Sequence, residues 1–165
     1  MKTILLVRHA KASWGSFNQL DFDRSLNDDG MQQAVIMGQK MLAKSIGVEK
    51  IISSDALRAK QTAILLAEEI NFKVSDIQFE RNLYHAKPHI IESEILQISN
   101  TFSVAIIVCH NPGISDYINH LVKNVLHDMP TCGVCMIQFE TNNWRDITKA
   151  KCKLLWYGFP DENEF

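Results

Sequence analysis

The chain has 165 residues, 46% hydrophobic and 22% charged, with a formal net charge of −2. This is ordinary for a globular protein, most simply one domain with a real core, and the charge balance gives no general attraction for nucleic acid or anionic membrane. No stretch approaches the ~20 apolar residues of a membrane span, and the N-terminal apolar run stops at Arg8, short of a signal-peptide core, so a cytoplasmic location is expected.

Strand-like and helix-like segments alternate along the chain. Lys2–Val7 reads as a first strand. Asp28 to about Ser45 reads as a helix, with Met31, Ala34, Val35, Gly38, Met41 and Leu42 as its inward stripe and Asn27 or Asp28 as its cap. Lys50–Ser53 is a second strand, and Asp55–Ile70 a second helix opened by Ser54 or Asp55. A short strand near Ile77–Phe79 and a helix from Pro88 carrying Ile91, Ile95 and Ile98 follow. Val104–Cys109 is near-continuously apolar, as a strand buried on both faces would be. Asn111-Pro112-Gly113 breaks it, and Ile114, Tyr117, Ile118, Leu121, Val122 and Val125 then recur at helical spacing. Val134–Phe139 and Lys151–Tyr157 form an expected antiparallel hairpin across Thr141-Asn142-Asn143. Residues 161–165 are an acidic tail. Alternating strands and helices predict a three-layer α/β/α sandwich with a mostly parallel sheet and no lid subdomain, a single domain over residues 1–160.

The four cysteines fit a reducing compartment. Cys109 and Cys152 sit in apolar runs and read as core residues. Cys132 and Cys135 have Cys-x-x-Cys spacing, but on a strand from Thr131 that offset puts the side chains on opposite faces. No second pair with metal-ligand spacing accompanies them.

Three strand ends carry the chemistry. The first ends at Arg8-His9, the second at Ser53-Ser54 leading to Arg58, and the central one at Cys109-His110. In a parallel sheet these ends share one edge, where ligands bind. Two arginines, two histidines and two helix N-termini would converge there. A phosphoryl group in transfer spreads charge over its equatorial oxygens and needs such donors. Arg8 and Arg58 offer planar forks, His110 a further donor when protonated, and His9 a nucleophilic nitrogen. The arginines supply the positive charge, so no metal and no cofactor are expected.

These motifs resemble a known family. Leu-Val-Arg-His-Ala at 6–10, Ser-Ser-Asp-Ala-Leu-Arg-Ala-Lys-Gln-Thr-Ala at 53–63 and Val-Cys-His-Asn-Pro-Gly at 108–113 resemble the Arg-His, second-arginine and second-histidine motifs of the histidine phosphatase superfamily. Asp21-Phe22-Asp23-Arg24-Ser25-Leu26 is similar to a motif of its small SixA-type phosphohistidine phosphatases, as are Pro130–Val134 and Leu154–Trp156 to late segments of that group. The resemblance implies a phosphoglycerate mutase-like fold. It also implies His9 as phosphorylated nucleophile and Arg8, Arg58 and His110 as phosphate pocket. Asp21 and Arg24 are implied at the rim, and Asn111 of the second-histidine motif is a further rim candidate. Arg24 has a structural alternative, a salt bridge to Asp21 or Asp23.

Two positions depart from the family pattern. Asp55 replaces a usual proline and is expected to cap its helix. His85 follows Leu83-Tyr84 where larger members carry a glutamate acid. Asp21 and His85 are thus the candidate general acids. A pocket without a strong acid suits a phosphohistidine, whose ring can already be protonated near its reference pKa of ~6.5, better than an alkoxide leaving group. Trp14 and Phe17 either line the pocket mouth or pack their loop onto the domain. The expected partner is a phosphohistidine-bearing protein of a phosphorelay or phosphotransfer chain. The alternatives are a small phosphorylated metabolite or phosphoprotein binding without turnover, and a monomer is expected.

Overall fold

The computed structural model describes residues 1–123 and 127–161. Six strands, β1 (Lys2–Arg8), β2 (Lys50–Ser54), β3 (Gln78–Glu80), β4 (Val104–Cys109), β5 (Val134–Phe139) and β6 (Cys152–Gly158), form one sheet in the order β3-β2-β4-β1-β5-β6. The pairs β3/β2, β2/β4 and β4/β1 are parallel, and β5 runs antiparallel to both β1 and β6. The mostly parallel sheet and the C-terminal hairpin are as the sequence predicts.

Helices cover both faces. On one, α1 (Asp28–Ala43) and α2 (Leu57–Glu69) bury Ala34, Met37, Met41, Ala59, Ala63 and Leu66 against Leu5, Val7, Ile106 and Val108. On the other, α3 (Pro88–Leu96) and α4 (Gly113–Leu121) bury Ile91, Ile95, Ile114 and Ile118 against Ile4, Leu6, Ala105 and Ile107. Alternate residues of β1 and β4 thus enter opposite cores, the reason these strands lack a polar face. Among the described residues, no helix is long and apolar enough to cross a membrane.

Three local expectations are corrected. The inward arc of α1 is centred on Ala34, Met37, Gly38 and Met41, while Met31 and Leu42 are exposed. Gly38 explains the rotation, since a Cβ there would lie 2.5 Å from Glu69 Cβ and only glycine lets α2 come so near. Asp55 does not cap α2: the helix starts at Leu57 with Ala56 at the N-cap, and the Ala56 N–H donates to Ser54 Oγ at 3.3 Å. Cys132 precedes β5 in a left-handed turn (φ 57°) rather than lying on the strand, yet it enters one core and Cys135 the other. Val125 and the tail beyond Asp161 lie outside the described residues.

Candidate active site

Strand register builds the site. Arg8 pairs with Cys109 across β1/β4, and the His9 N–H donates to the Cys109 carbonyl at 3.1 Å, so His9 and His110 leave adjacent strands side by side. Their ring centroids are 5.0 Å apart. Ser53 pairs with Val108 across β2/β4, which brings Ser54 level with the start of the His110 loop. Arg58 returns to the same edge from the first turn of α2.

His9 is oriented by its own backbone neighbour. Its Nδ1 is 2.7 Å from the Ala10 carbonyl oxygen, which can only accept, so Nδ1 carries the proton and Nε2 keeps its lone pair. Burial, against the Ala10 bond and together with the charges of Arg58, Arg8 and Arg24, pushes the His9 pKa down to about 4. At neutral pH the ring is uncharged and nucleophilic at Nε2. Arg58 Nε donates to that atom at 3.3 Å.

His110 is 2% exposed, and burial, followed by His9 and Arg58, lowers its pKa to about 2. It is therefore neutral at pH 7, so the protonated form in which the sequence offered it as a donor is disfavoured here. Its Nε2 lies 2.8 Å from Ser54 Oγ. Among the described residues, its Nδ1 is buried with no hydrogen-bond partner, as is Arg8 Nε. Orphaned buried nitrogens are rare, and two within one cluster fit a pocket shaped to receive an anion.

Asp21 is the hub of the rim. Its Oδ2 accepts from Arg58 Nη2 (3.0 Å), Tyr84 Oη (2.7 Å) and His85 Nε2 (3.2 Å), and its Oδ1 from Arg24 Nη1 (2.9 Å). Arg58 Nη1 also donates to the Asp21 carbonyl at 2.6 Å. Partial desolvation opposes the shift, but the bonds from Tyr84, Arg24, His85 and Arg58 hold the carboxyl well below the usual carboxylate range. Asp21 is thus an ionised acceptor with no proton to give. Arg24 adopts its structural alternative, bridging Asp21 and donating Nε to the Ser13 carbonyl at 2.7 Å.

Tyr84 was missed by sequence reasoning. Its ring meets His110 edge-on at 5.5 Å and lies 4.2 Å from His85, making it a wall of the site. The only signal was its place between Leu83 and His85. His85 itself is about half exposed, 5.4 Å from the His110 ring, and held in a left-handed conformation (φ 50°). A non-glycine residue held there is strained, and such strain gathers at functional sites.

Asn111 spends its side-chain polar atoms on protein partners. Its side chain donates to Asp128 and to the Met129 carbonyl, and accepts from Ser115 Oγ at 2.7 Å, so it anchors the segment before β5. Arg8 Nη1 donates to the same Met129 carbonyl and lies 3.8 Å from Asp128. Asp55 faces Arg81 at 3.8 Å instead of its helix. Trp14 and Phe17 are fully solvent-facing, which excludes loop packing as their role.

A phosphoglycerate mutase-like α/β sandwich with His9, His110 and Arg58 gathered at one edge of its sheet is the class that this fold and site define. Residues 4–84, just under half of the chain, match the histidine phosphatase superfamily (branch 1). Its fold is similar to SixA from Agrobacterium tumefaciens (TM-score 0.83, 23% identity, 96% of this chain and 98% of that one). It is also similar to the protein histidine phosphatase SixA complexed with tungstate (TM-score 0.79, 17% identity, 96% and 97%). A sequence relative, the uncharacterized protein ML1117 of Mycobacterium leprae, is 25% identical over 93% of this chain and 99% of its own.

Proposed function

We propose that the protein is a phosphatase that removes phosphate from phosphohistidine on another protein through a covalent intermediate on His9. The observation that carries this reading is the state of His9: neutral, its Nδ1–H held by Ala10, its Nε2 lone pair turned to Arg58, with Arg8 Nε and His110 Nδ1 buried and unpartnered among the described residues. In the first step Nε2 attacks phosphorus, the bond from phosphorus to the substrate's ring nitrogen breaks, and that ring leaves as neutral imidazole if its other nitrogen was protonated. In the second, water attacks the phosphorus of phospho-His9, the N–P bond breaks, and inorganic phosphate leaves. Arg8, Arg58 and His110 hold the phosphoryl oxygens throughout. The charge comes from the arginines, with no metal or cofactor called for.

The rim supports this substrate. Asp21 is ionised, which leaves His85 as the proton donor or acceptor where one is needed. Trp14, Phe17 and Leu20 are exposed on the segment between His9 and Asp21, where a folded phosphorelay or phosphotransfer protein carrying the histidine could meet them. The tungstate held by the similar SixA structure is a phosphate-like oxyanion, consistent with an anion pocket in this fold.

The test is rapid quenching after incubation with a ³²P-phosphohistidine protein and, separately, a phosphomonoester panel. Acid-labile, base-stable label on His9, absent in His9→Ala, and faster turnover of the phosphohistidine protein are expected. Faster turnover of a small ester would assign a metabolite phosphatase instead. Absence of label and turnover would leave a phosphoprotein-binding module.

A further inference from the structure

We propose that Ser54 is a positioning residue that fixes the tautomer of His110, so that a neutral ring presents an Nδ1–H to a phosphoryl oxygen. The inference rests on the reading of the pocket as a phosphoryl site, and it adds how an uncharged histidine serves as a donor there.

The hydrogen-bond accounting has one complete solution. A neutral imidazole has one N–H and one lone pair. Among the described residues His110 shows one hydrogen-bond partner, Ser54 Oγ at 2.8 Å from Nε2, and its Nδ1 has none. Ser54 is fully buried. Its Oγ receives the Ala56 N–H at 3.3 Å, and among the described residues the His110 ring is the acceptor within reach of its single O–H proton. If Ser54 donates to Nε2, the Ala56 N–H, the serine O–H and the Nε2 lone pair are all satisfied. The ring proton then sits on Nδ1. If Nε2–H donates to Ser54 instead, the serine oxygen takes two donors and its own O–H is buried without an acceptor. The ring's one unpartnered atom would then be a lone pair, which repels an anionic oxygen.

The surroundings favour the first arrangement. His9, Arg58 and His85 all add positive or potentially positive charge near His110, and Asp21 is the acidic group that opposes them. An imidazolium is disfavoured, so donor capacity must come from tautomer choice. β2/β4 register supplies the geometry, because Ser54 ends β2 beside the strand that delivers His110. The serine of the Ser53-Ser54 pair is thereby given a task that spacing alone did not assign.

The experiment is long-range ¹H–¹⁵N correlation of the histidine rings at pH 7, assigned against His110→Asn, with tungstate titration of wild type, Ser54→Ala and Ser54→Thr. The wild type is expected to show a pyrrole-type Nδ1 and a pyridine-type Nε2 at His110. Ser54→Ala is expected to move the proton toward Nε2 and weaken tungstate binding by about 10- to 100-fold, the range for losing a hydrogen bond to a charged group. Ser54→Thr, which restores the hydroxyl, is expected to recover both signals. A wild type that binds tungstate with Nε2–H or imidazolium at His110 overturns the inference alone, and this result needs no variant to fold. Retention of Nδ1–H and affinity in Ser54→Ala overturns it as well. A wild type with the expected tautomer that neither binds tungstate nor takes label overturns the phosphoryl reading, and with it the use assigned to that N–H.

Discussion

Arg58 Nε donates to His9 Nε2 across 3.3 Å, so the lone pair proposed to attack phosphorus is engaged by the arginine proposed to hold the phosphate. The rest of the guanidinium is fixed to the Asp21 carbonyl and carboxylate. An arriving phosphoryl oxygen must take over the Nε–H, which frees the nucleophile as the substrate is bound. Coupling of this kind requires a fork of several N–H groups rather than a point charge.

Arg58→Lys tests that coupling. Lysine keeps the charge but cannot reach Asp21 and the phosphate together. kcat/KM is expected to fall by about 10²- to 10³-fold, the range for one oxyanion donor, with burst kinetics showing the loss in the phosphorylation step.

Asp21→Asn separates an anchor from an acid. As an anchor, Asp21 holds Arg58, Arg24, Tyr84 and His85, and its amide replacement is expected to lower kcat by about tenfold at every pH. Disappearance of the basic limb of the pH–rate profile in this variant would instead identify Asp21 as the proton donor.

The histidines set the acid side of the pH dependence. With His9 held at a pKa of about 4, labelling of His9 is expected to persist well below pH 6.5 and to fail only near pH 4. Stability follows the same sign. The unfolded chain takes protons near 6.5 and the folded rings resist, so stability is full above that value and falls as pH drops. The loss is complete for His9 near pH 4 and for His110 near pH 2. Urea denaturation of His110→Asn is expected to show a shallower acid limb than wild type.

Trp14→Ala with Phe17→Ala tests the mouth. Both side chains are solvent-facing and outside the pocket, so hydrolysis of p-nitrophenyl phosphate is expected to be unchanged. kcat/KM for a phosphohistidine protein is expected to drop by roughly tenfold, as loss of exposed aromatic anchors does at protein interfaces. Equal rates of wild type and variant on the protein substrate would remove this loop from recognition.

Gly113→Ala tests how α4 seats the rim. A Cβ there would lie 1.8 Å from the Ala86 carbonyl oxygen, so the segment carrying Tyr84 and His85 must shift. Destabilisation of about 1–3 kcal/mol is expected from this overpacking, read by urea denaturation, with a fall in activity.

The alternation of strands and helices, Lys2 to Val7, Val104 to Cys109 and the Val134 hairpin, was legible in sequence because burial on both faces of a central sheet demands apolar runs. The residues Arg8, His9, Arg58 and His110 were legible because parallel strands deliver their carboxyl ends to one edge, where the register now puts His9 against His110. The arc of α1 was not, because two arcs are apolar and Gly38 against Glu69 chooses between them. Asp55 failed as a cap because the N-cap falls one residue later, on Ala56, and the helix starts at Leu57. The protonation states were decided only by the fold. Asp21 and Tyr84 lie 63 residues apart in the chain, and their bond, with those of Arg24, Arg58 and His85, keeps the carboxylate ionised. Sequence determines which ionisable groups reach the site, but desolvation and partners, which set their charge, exist only once the chain has folded around them.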